Sequence, residues 1–236
     1  MKQTKNKVLV VAAHPDDEVL GCGATIARHA DEGDEVWVLI LVEGVTSRIG
    51  GSKEEDNKEL DALRGSAKKA NEVLGVKRLI LREFPDNKLD SVALLDVVQS
   101  IESVMSEFKP NIVYTHHHSD VNVDHRIIAE AVESAIRPME RSFVNRAFSF
   151  EIASSSEWNF VKSDPFRPNV FINIENYINK KIMALKCYGS ELRDFPHPRS
   201  IEYIEALAKV RGAQSGMRAA ESFSLVFDRR RRNYAK

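Results

Sequence analysis

The sequence has little of what small secreted folds rely on. Only two cysteines, Cys22 and Cys187, stand in 236 residues. Neither has C-x-x-C spacing, which argues against a disulfide framework or a thiolate metal site and makes the reducing cytoplasm the expected compartment. Nowhere do about 18 uncharged apolar residues run together, so no transmembrane segment is expected. The apolar run at 8–13, behind the N-terminal lysines, is too short for a secretory h-region and ends in His-Pro-Asp-Asp-Glu, so it reads as a strand that stays in the protein. The charge is nearly balanced, at −1, and no global field draws in nucleic acid or an anionic membrane. Glycine (11) and proline (8) are too scarce for a disordered or fibrous chain. What remains is an ordinary globular composition, long enough to bury about 70% of the surface its unfolded form exposes.

Continuous apolar runs rich in β-branched residues recur at 7–12, 35–42, 78–81 and 111–115. Continuous rather than alternating runs predict strands covered on both faces, as in a parallel sheet. Between them, helical spacing covers 19–31, 54–74, 91–108 and 123–136. Four β-α repeats predict an α/β fold: a Rossmann-like, doubly wound, mostly parallel sheet with helices on both faces and right-handed crossovers. Beyond Pro138 the pattern loosens, with strands expected at 146–152 and 170–174 and helices at 176–188 and 200–214. The expectation is one domain over 1–236, a core at 1–138 carrying the motifs and a C-terminal part at 139–236 that completes the sheet edge and walls the site.

The first strand delivers Ala13-His14-Pro15-Asp16-Asp17-Glu18 to its C-terminal end, where open parallel sheets bind their ligands, and Pro15 stops the strand at once. His14 and Asp17, three apart across a strand-to-helix turn, can bring an imidazole nitrogen and a carboxylate oxygen to one cation. The same acids could equally cap the following helix. The fourth strand shifts the balance, because it ends in His116-His117-His118-Ser119-Asp120 followed by Asn122-Val123-Asp124-His125-Arg126. Five of the seven histidines fall in these two stretches. His125 can supply a third ligand, and two histidines with one carboxylate suit zinc or ferrous iron. Asp124 is a candidate either for orienting a metal-binding imidazole or for charging a helix N-terminus. Three consecutive side chains cannot face one point, so at most one or two of the histidines at 116–118 should line the site.

These residues resemble the PIG-L/LmbE family of zinc-dependent N-deacetylases. The likeness extends to Arg64 with Leu74-Gly75, to Phe84-Pro85-Asp86, and to Phe195-Pro196-His197-Pro198-Arg199-Ser200, and so covers most of the chain. It implies zinc on His14, Asp17 and His125, and a general base at Asp16; spacing alone does not separate the two aspartates. Many members carry a histidine where this chain has Asn122. An amide can donate to an oxyanion but cannot deliver a proton at neutral pH, so the proton would return from Asp16 or from a histidine at 116–118. Arg64, then Arg48, are candidate contacts for an anionic or hydroxyl-rich substrate. His118 is a candidate substrate contact, as is His197, whose other reading is a histidine fixed between two prolines in a surface turn.

The resemblance thus implies a hydrolase that removes the N-acetyl group from a small sugar-containing molecule, with a homo-oligomer open. Two other classes, a nucleotide-binding module and a non-catalytic interaction protein, have weaker support. Gly21-Cys22-Gly23 lies inside the first helix without the rest of a dinucleotide fingerprint. The arginines at 229–232 would give an interaction protein an anion-binding patch, or are simply a solvated end.

Overall fold

The structure, a computed structural model, describes residues 5–44, 53–139, 142–160 and 164–230. Arg48 lies outside the described residues, as do the last residues of the arginine run.

The first four repeats form as their patterns predict: β1 (Lys7–Ala12), α1 (Asp17–Asp31), β2 (Glu35–Val42), α2 (Lys53–Leu74), β3 (Arg78–Phe84), α3 (Leu94–Phe108), β4 (Ile112–His116) and α4 (Val123–Ala135). They are followed by β5 (Arg146–Phe150), β6 (Val170–Asn173), α5 (Ile178–Cys187), α6 (Ile201–Gln214) and β7 (Ala220–Asp228). All seven strands make one sheet in the order β3-β2-β1-β4-β5-β7-β6. β1 to β5 pair in parallel, and β7 is antiparallel to both its neighbours. Among the described residues no helix is long and apolar enough to cross a membrane.

Side chains of a strand alternate between faces, so a doubly covered strand must feed two cores. In β1, Val8, Val10 and Ala12 enter one cluster and Leu9 and Val11 the other; in β2, Val36, Val38 and Ile40 oppose Trp37, Leu39 and Leu41. The first cluster is closed by α1, α2 and α5, the second by α4 and by α3, in which Val97, Ile101, Val104, Met105 and Phe108 recur at helical spacing.

β7 is absent from the expected elements. Its first four residues are buried and its outer half is largely exposed, with Phe223 packing into one cluster and Phe227 against the other across an irregularity in its pairing with β5. It separates β5 from β6, which therefore forms the sheet edge.

α1 is broken at Cys22, whose backbone is not helical (φ −149, ψ 25). The Glu221 carboxylate from β7 accepts the N–H groups of Ala24 (3.1 Å) and Thr25 (2.7 Å) beyond the break, while Lys181 Nζ from α5 donates to the Leu20 carbonyl before it (2.8 Å) and to Glu221 (2.7 Å). Gly21 lets the helix press on β5, since a Cβ there would lie 2.5 Å from the Phe150 ring. β1 and β4 are neighbours whose onward connections leave in opposite directions, so a crevice opens at their C-terminal ends.

Candidate active site

Two strand ends and two helix starts build the site. After β1, Pro15 ends the strand and Asp16 turns the chain through a left-handed backbone (φ 115, ψ −28), its carbonyl accepting the first helical N–H groups from Val19 (3.0 Å) and Leu20 (2.9 Å). After β4, Asn122 caps α4, its Oδ1 accepting from the N–H of Asp124 (2.8 Å) and, at longer range, of His125 (3.4 Å). Each turn thereby aims a histidine and a carboxylate at the crevice.

His14, Asp17 and His125 converge. Asp17 Oδ2 lies 3.2 Å from His14 Nδ1 and 3.2 Å from His125 Nε2, and it accepts the His14 backbone N–H at 2.9 Å. The far nitrogens meet acids too: His14 Nε2 is 3.1 Å from Asp124 Oδ2 and 3.2 Å from Asp86 Oδ1, and His125 Nδ1 is 3.2 Å from Asp120 Oδ1. Asp124 is held by the N–H groups of Asn87 (2.8 Å) and Leu89 (3.0 Å). The neighbour of His125 in sequence thus reaches His14, while Asp120, which the sequence reading did not single out, serves His125.

These groups fit a divalent cation. Two imidazole nitrogens and a carboxylate oxygen lie close enough together to share one ion. Asp17 Oδ1, fully buried, has no hydrogen-bond partner, and leaving such an atom unmet is costly unless a cation or water meets it. Charge tells the same story. Burial works to lower the His14 pKa, but Asp124, Asp17 and Asp86 outweigh it and raise it well above the usual value. Burial likewise opposes charge on His125, yet Asp17 and Asp120 raise it to about 9. Burial alone would lift Asp17, but His125 and His14 hold it well below the carboxylate range. Acids crowd both imidazoles, a field that favours a bound cation.

Asp16 shares this cleft with His14, Asp86, Asn87, Asn122, Glu191 and Arg199. Burial pushes its carboxyl up to about 8 against the pull of Arg199, whose Nη1 stands 3.0 Å from Asp16 Oδ2. Arg199 is steadied by Ser154 Oγ (2.9 Å) and by Glu191 (3.4 Å). Asn122 also lines the cleft, its Nδ2 donating to Asn87 Oδ1 at 3.1 Å.

Other expected contacts stand elsewhere. Arg64 pairs with Glu83 at 2.5 Å and lines a separate groove between α2 and β3. His118 is half exposed and pairs with Asp164 at 2.7 Å, and His117 turns to Ser119 Oγ (3.0 Å) and Phe166. His116 lies beneath the site, stacked on His125 with ring centroids 4.0 Å apart and accepting the Ala13 N–H at 2.8 Å. His197 accepts the Arg199 N–H at 3.0 Å and packs edge-on against Trp158, so the segment it sits in reaches the cleft through Arg199. Arg229 donates to the carbonyls of Ser142 (2.9 Å) and Val144 (2.8 Å). Arg199 and Asp86 both stand in stretches that carry the family resemblance, which was the available signal for them.

Residues 9–136 match a family model described as PIG-L, GlcNAc-PI de-N-acetylase. Across 93% of its length the chain is 27% identical to the diacetylchitobiose deacetylase of Thermococcus kodakarensis, covering 83% of that protein. A 4-oxalmesaconate hydratase of Pseudomonas putida is also 27% identical, over 91% of this chain and 83% of its own. In three dimensions the chain resembles the N,N'-diacetylchitobiose deacetylase of Pyrococcus horikoshii with a TM-score of 0.76 at 18% identity, covering 94% of this chain and 84% of that one. That last likeness speaks for the fold.

Proposed function

Because the chain belongs to the PIG-L (GlcNAc-PI de-N-acetylase) family, we propose that it is a metal-dependent hydrolase that removes the N-acetyl group from an N-acetylated sugar or sugar conjugate. The observation that carries this reading is the meeting of His14 Nδ1, His125 Nε2 and Asp17 Oδ2 beside a buried carboxylate, Asp16, that none of them uses. His14, Asp17 and His125 would hold zinc, with ferrous iron the other metal that suits the set. When bound, the cation lowers the pKa of a water and polarises the acyl carbonyl.

The chain's own groups do the rest. Asp16 takes a proton from the attacking water as its oxygen bonds to the acyl carbon, and hands it to the amine nitrogen as the C–N bond breaks, releasing acetate and the free amino sugar. One Asn122 N–H goes to Asn87, and the other is available to the oxyanion of the tetrahedral intermediate. Arg199 keeps the Asp16 side chain aimed into the cleft. Asp124 and Asp120 fix the rings of His14 and His125.

A relative named as a hydratase supplies the competing reaction, because a shared fold does not choose between chemistries. Deacetylation is favoured by the family model and by the relatives that act on acetylated sugars. The test is acetate release from N,N'-diacetylchitobiose and related N-acetyl sugars by the zinc-loaded protein, with 4-oxalmesaconate hydration run alongside. Asp16→Asn should keep the metal and lose turnover by a factor on the order of 100 or more. Full deacetylase activity in Asp16→Asn, or hydration without deacetylation, would overturn the reading.

A further inference from the structure

We propose that Glu18 is a positioning residue that holds the Asp16 backbone in the conformation aiming its carboxylate into the cleft; this rests on the reading of Asp16 as the base. A non-glycine residue at φ 115 is strained, by about 1–3 kcal/mol, and persists only where its surroundings over-determine it. The Asp16 N–H donates to Glu18 Oε2 at 3.1 Å. The other oxygen, Oε1, accepts from the Tyr188 hydroxyl at 2.7 Å and from Asn71 Nδ2 at 2.9 Å. Asn71 is itself tied to the Ala67 carbonyl at 2.9 Å. The carboxylate therefore cannot swing away from Asp16 without abandoning donors from two other elements, α2 and the end of α5. Glu18 is fully buried, and Tyr188 and Asn71 are nearly so.

A buried acid is a poor way to gain stability, since an apolar side chain of like volume commonly serves as well. Its use here is directional: only an acceptor can hold that peptide N–H. Fixing the N–H fixes the peptide plane on one side of the Asp16 Cα, the carbonyl that accepts from Val19 and Leu20 fixes the plane on the other, and the two together set the Cα–Cβ direction. The same segment also holds the other end of the residue, because Tyr188 is followed by Glu191 and Arg199, and Arg199 lies 3.0 Å from the Asp16 carboxylate. Residues 188–199 thus grip Asp16 twice, at its backbone through Glu18 and at its side chain through Arg199.

The test uses the full-length, zinc-loaded chain. Glu18→Met keeps the volume but offers no carboxylate or carbonyl acceptor, so it frees the Asp16 N–H. A crystal structure of the variant should show Asp16 relaxed to negative φ or its carboxylate withdrawn from Arg199, and if both stay in place the proposal is wrong whatever the substrate. On N,N'-diacetylchitobiose, kcat should fall about 10- to 100-fold, as expected for a reacting group displaced by roughly an ångström. KM and zinc affinity should stay unchanged. Tyr188→Phe, which leaves the carboxylate on the Asp16 N–H, should fall less. As a control, Tyr114→Phe removes a similarly buried hydroxyl, 3.0 Å from His29 at the other end of α1, and should lower Tm while leaving kcat alone. An inactive Asp16→Asn beside a fully active Glu18→Met would defeat the positioning role alone, whereas an active Asp16→Asn would defeat the base.

Discussion

Asp120 Oδ1 lies 3.2 Å from Nδ1 of His125, on the opposite side of the imidazole from the nitrogen that faces Asp17. The acid is itself pinned, by the hydroxyls of Ser155 and Ser156 (2.7 Å for the latter) and by the Asn122 N–H at 2.9 Å. Those bonds and the charge of His125 keep Asp120 well below the usual carboxylate range despite its burial. The contact is one of charge and not of hydrogen-bond alignment, and it favours the ring orientation that turns Nε2 to the crevice.

From this follows the first prediction. Asp120→Asn should weaken zinc binding about 10- to 100-fold, the usual cost of losing the acid behind a metal-binding histidine. Competition against a chromophoric chelator would measure it, with Asp16→Asn as the variant expected to bind normally. Unchanged affinity in Asp120→Asn would mean that the ring is held by packing, through the stack on His116, and not by the acid.

The sheet and the two strand ends were legible because β1 and β4 are buried on both faces and so spell unbroken apolar runs. Polar residues after such runs stand out, which makes His14, Asp16, Asp17 and His125 candidates, while the choice of Asp17 over Asp16 as the ligand comes from the family resemblance and not from spacing. Direction was not legible. His116, His117 and His118 are identical in sequence terms, yet one lies under the site, one turns to Ser119 and one pairs with Asp164 at the surface. Asp124 is adjacent to His125 and reaches His14 instead, because the first turn of α4 points it across to the end of β1. Arg64 sits on the helix the resemblance marks, but its guanidinium goes to Glu83 on β3. β7 escaped notice because half of it faces water, which breaks the continuous run that identified the other strands.

A second prediction concerns pH. His29 sits between Asp34 Oδ2 at 2.8 Å and the Tyr114 hydroxyl at 3.0 Å. Burial lowers its pKa below 6.5, with Asp34 opposing. Between the folded value and about 6.5 the unfolded chain therefore binds a proton that the folded chain does not, and stability falls as pH falls through that range. Asp34 is itself depressed below 3.8, so it stays ionised and contributes no slope there. The wild type should lose more Tm between pH 7.5 and 5.5 than His29→Gln. The groups of the metal cluster titrate alike in both proteins, so the difference between the two profiles isolates His29. Parallel profiles would show that its protonation is not coupled to folding.

The third prediction tests the break in α1. Lys181 and Glu221 are both buried and 2.7 Å apart, and between them they satisfy the Leu20 carbonyl and the N–H groups of Ala24 and Thr25 where Cys22 interrupts the helix. Removing one member of such a pair strands the other charge, at a cost of about 3–5 kcal/mol. Lys181→Met should therefore lower the urea midpoint sharply. Replacing both residues, Lys181→Met with Glu221→Gln, should recover part of the loss, because the stranded charge is gone while an amide oxygen can still accept from the helix. If the single and double variants unfolded at the same urea concentration, the penalty would belong to the uncapped helix ends and not to the unpaired carboxylate. The Leu20 carbonyl, left without a donor in both variants, would then be the group that matters.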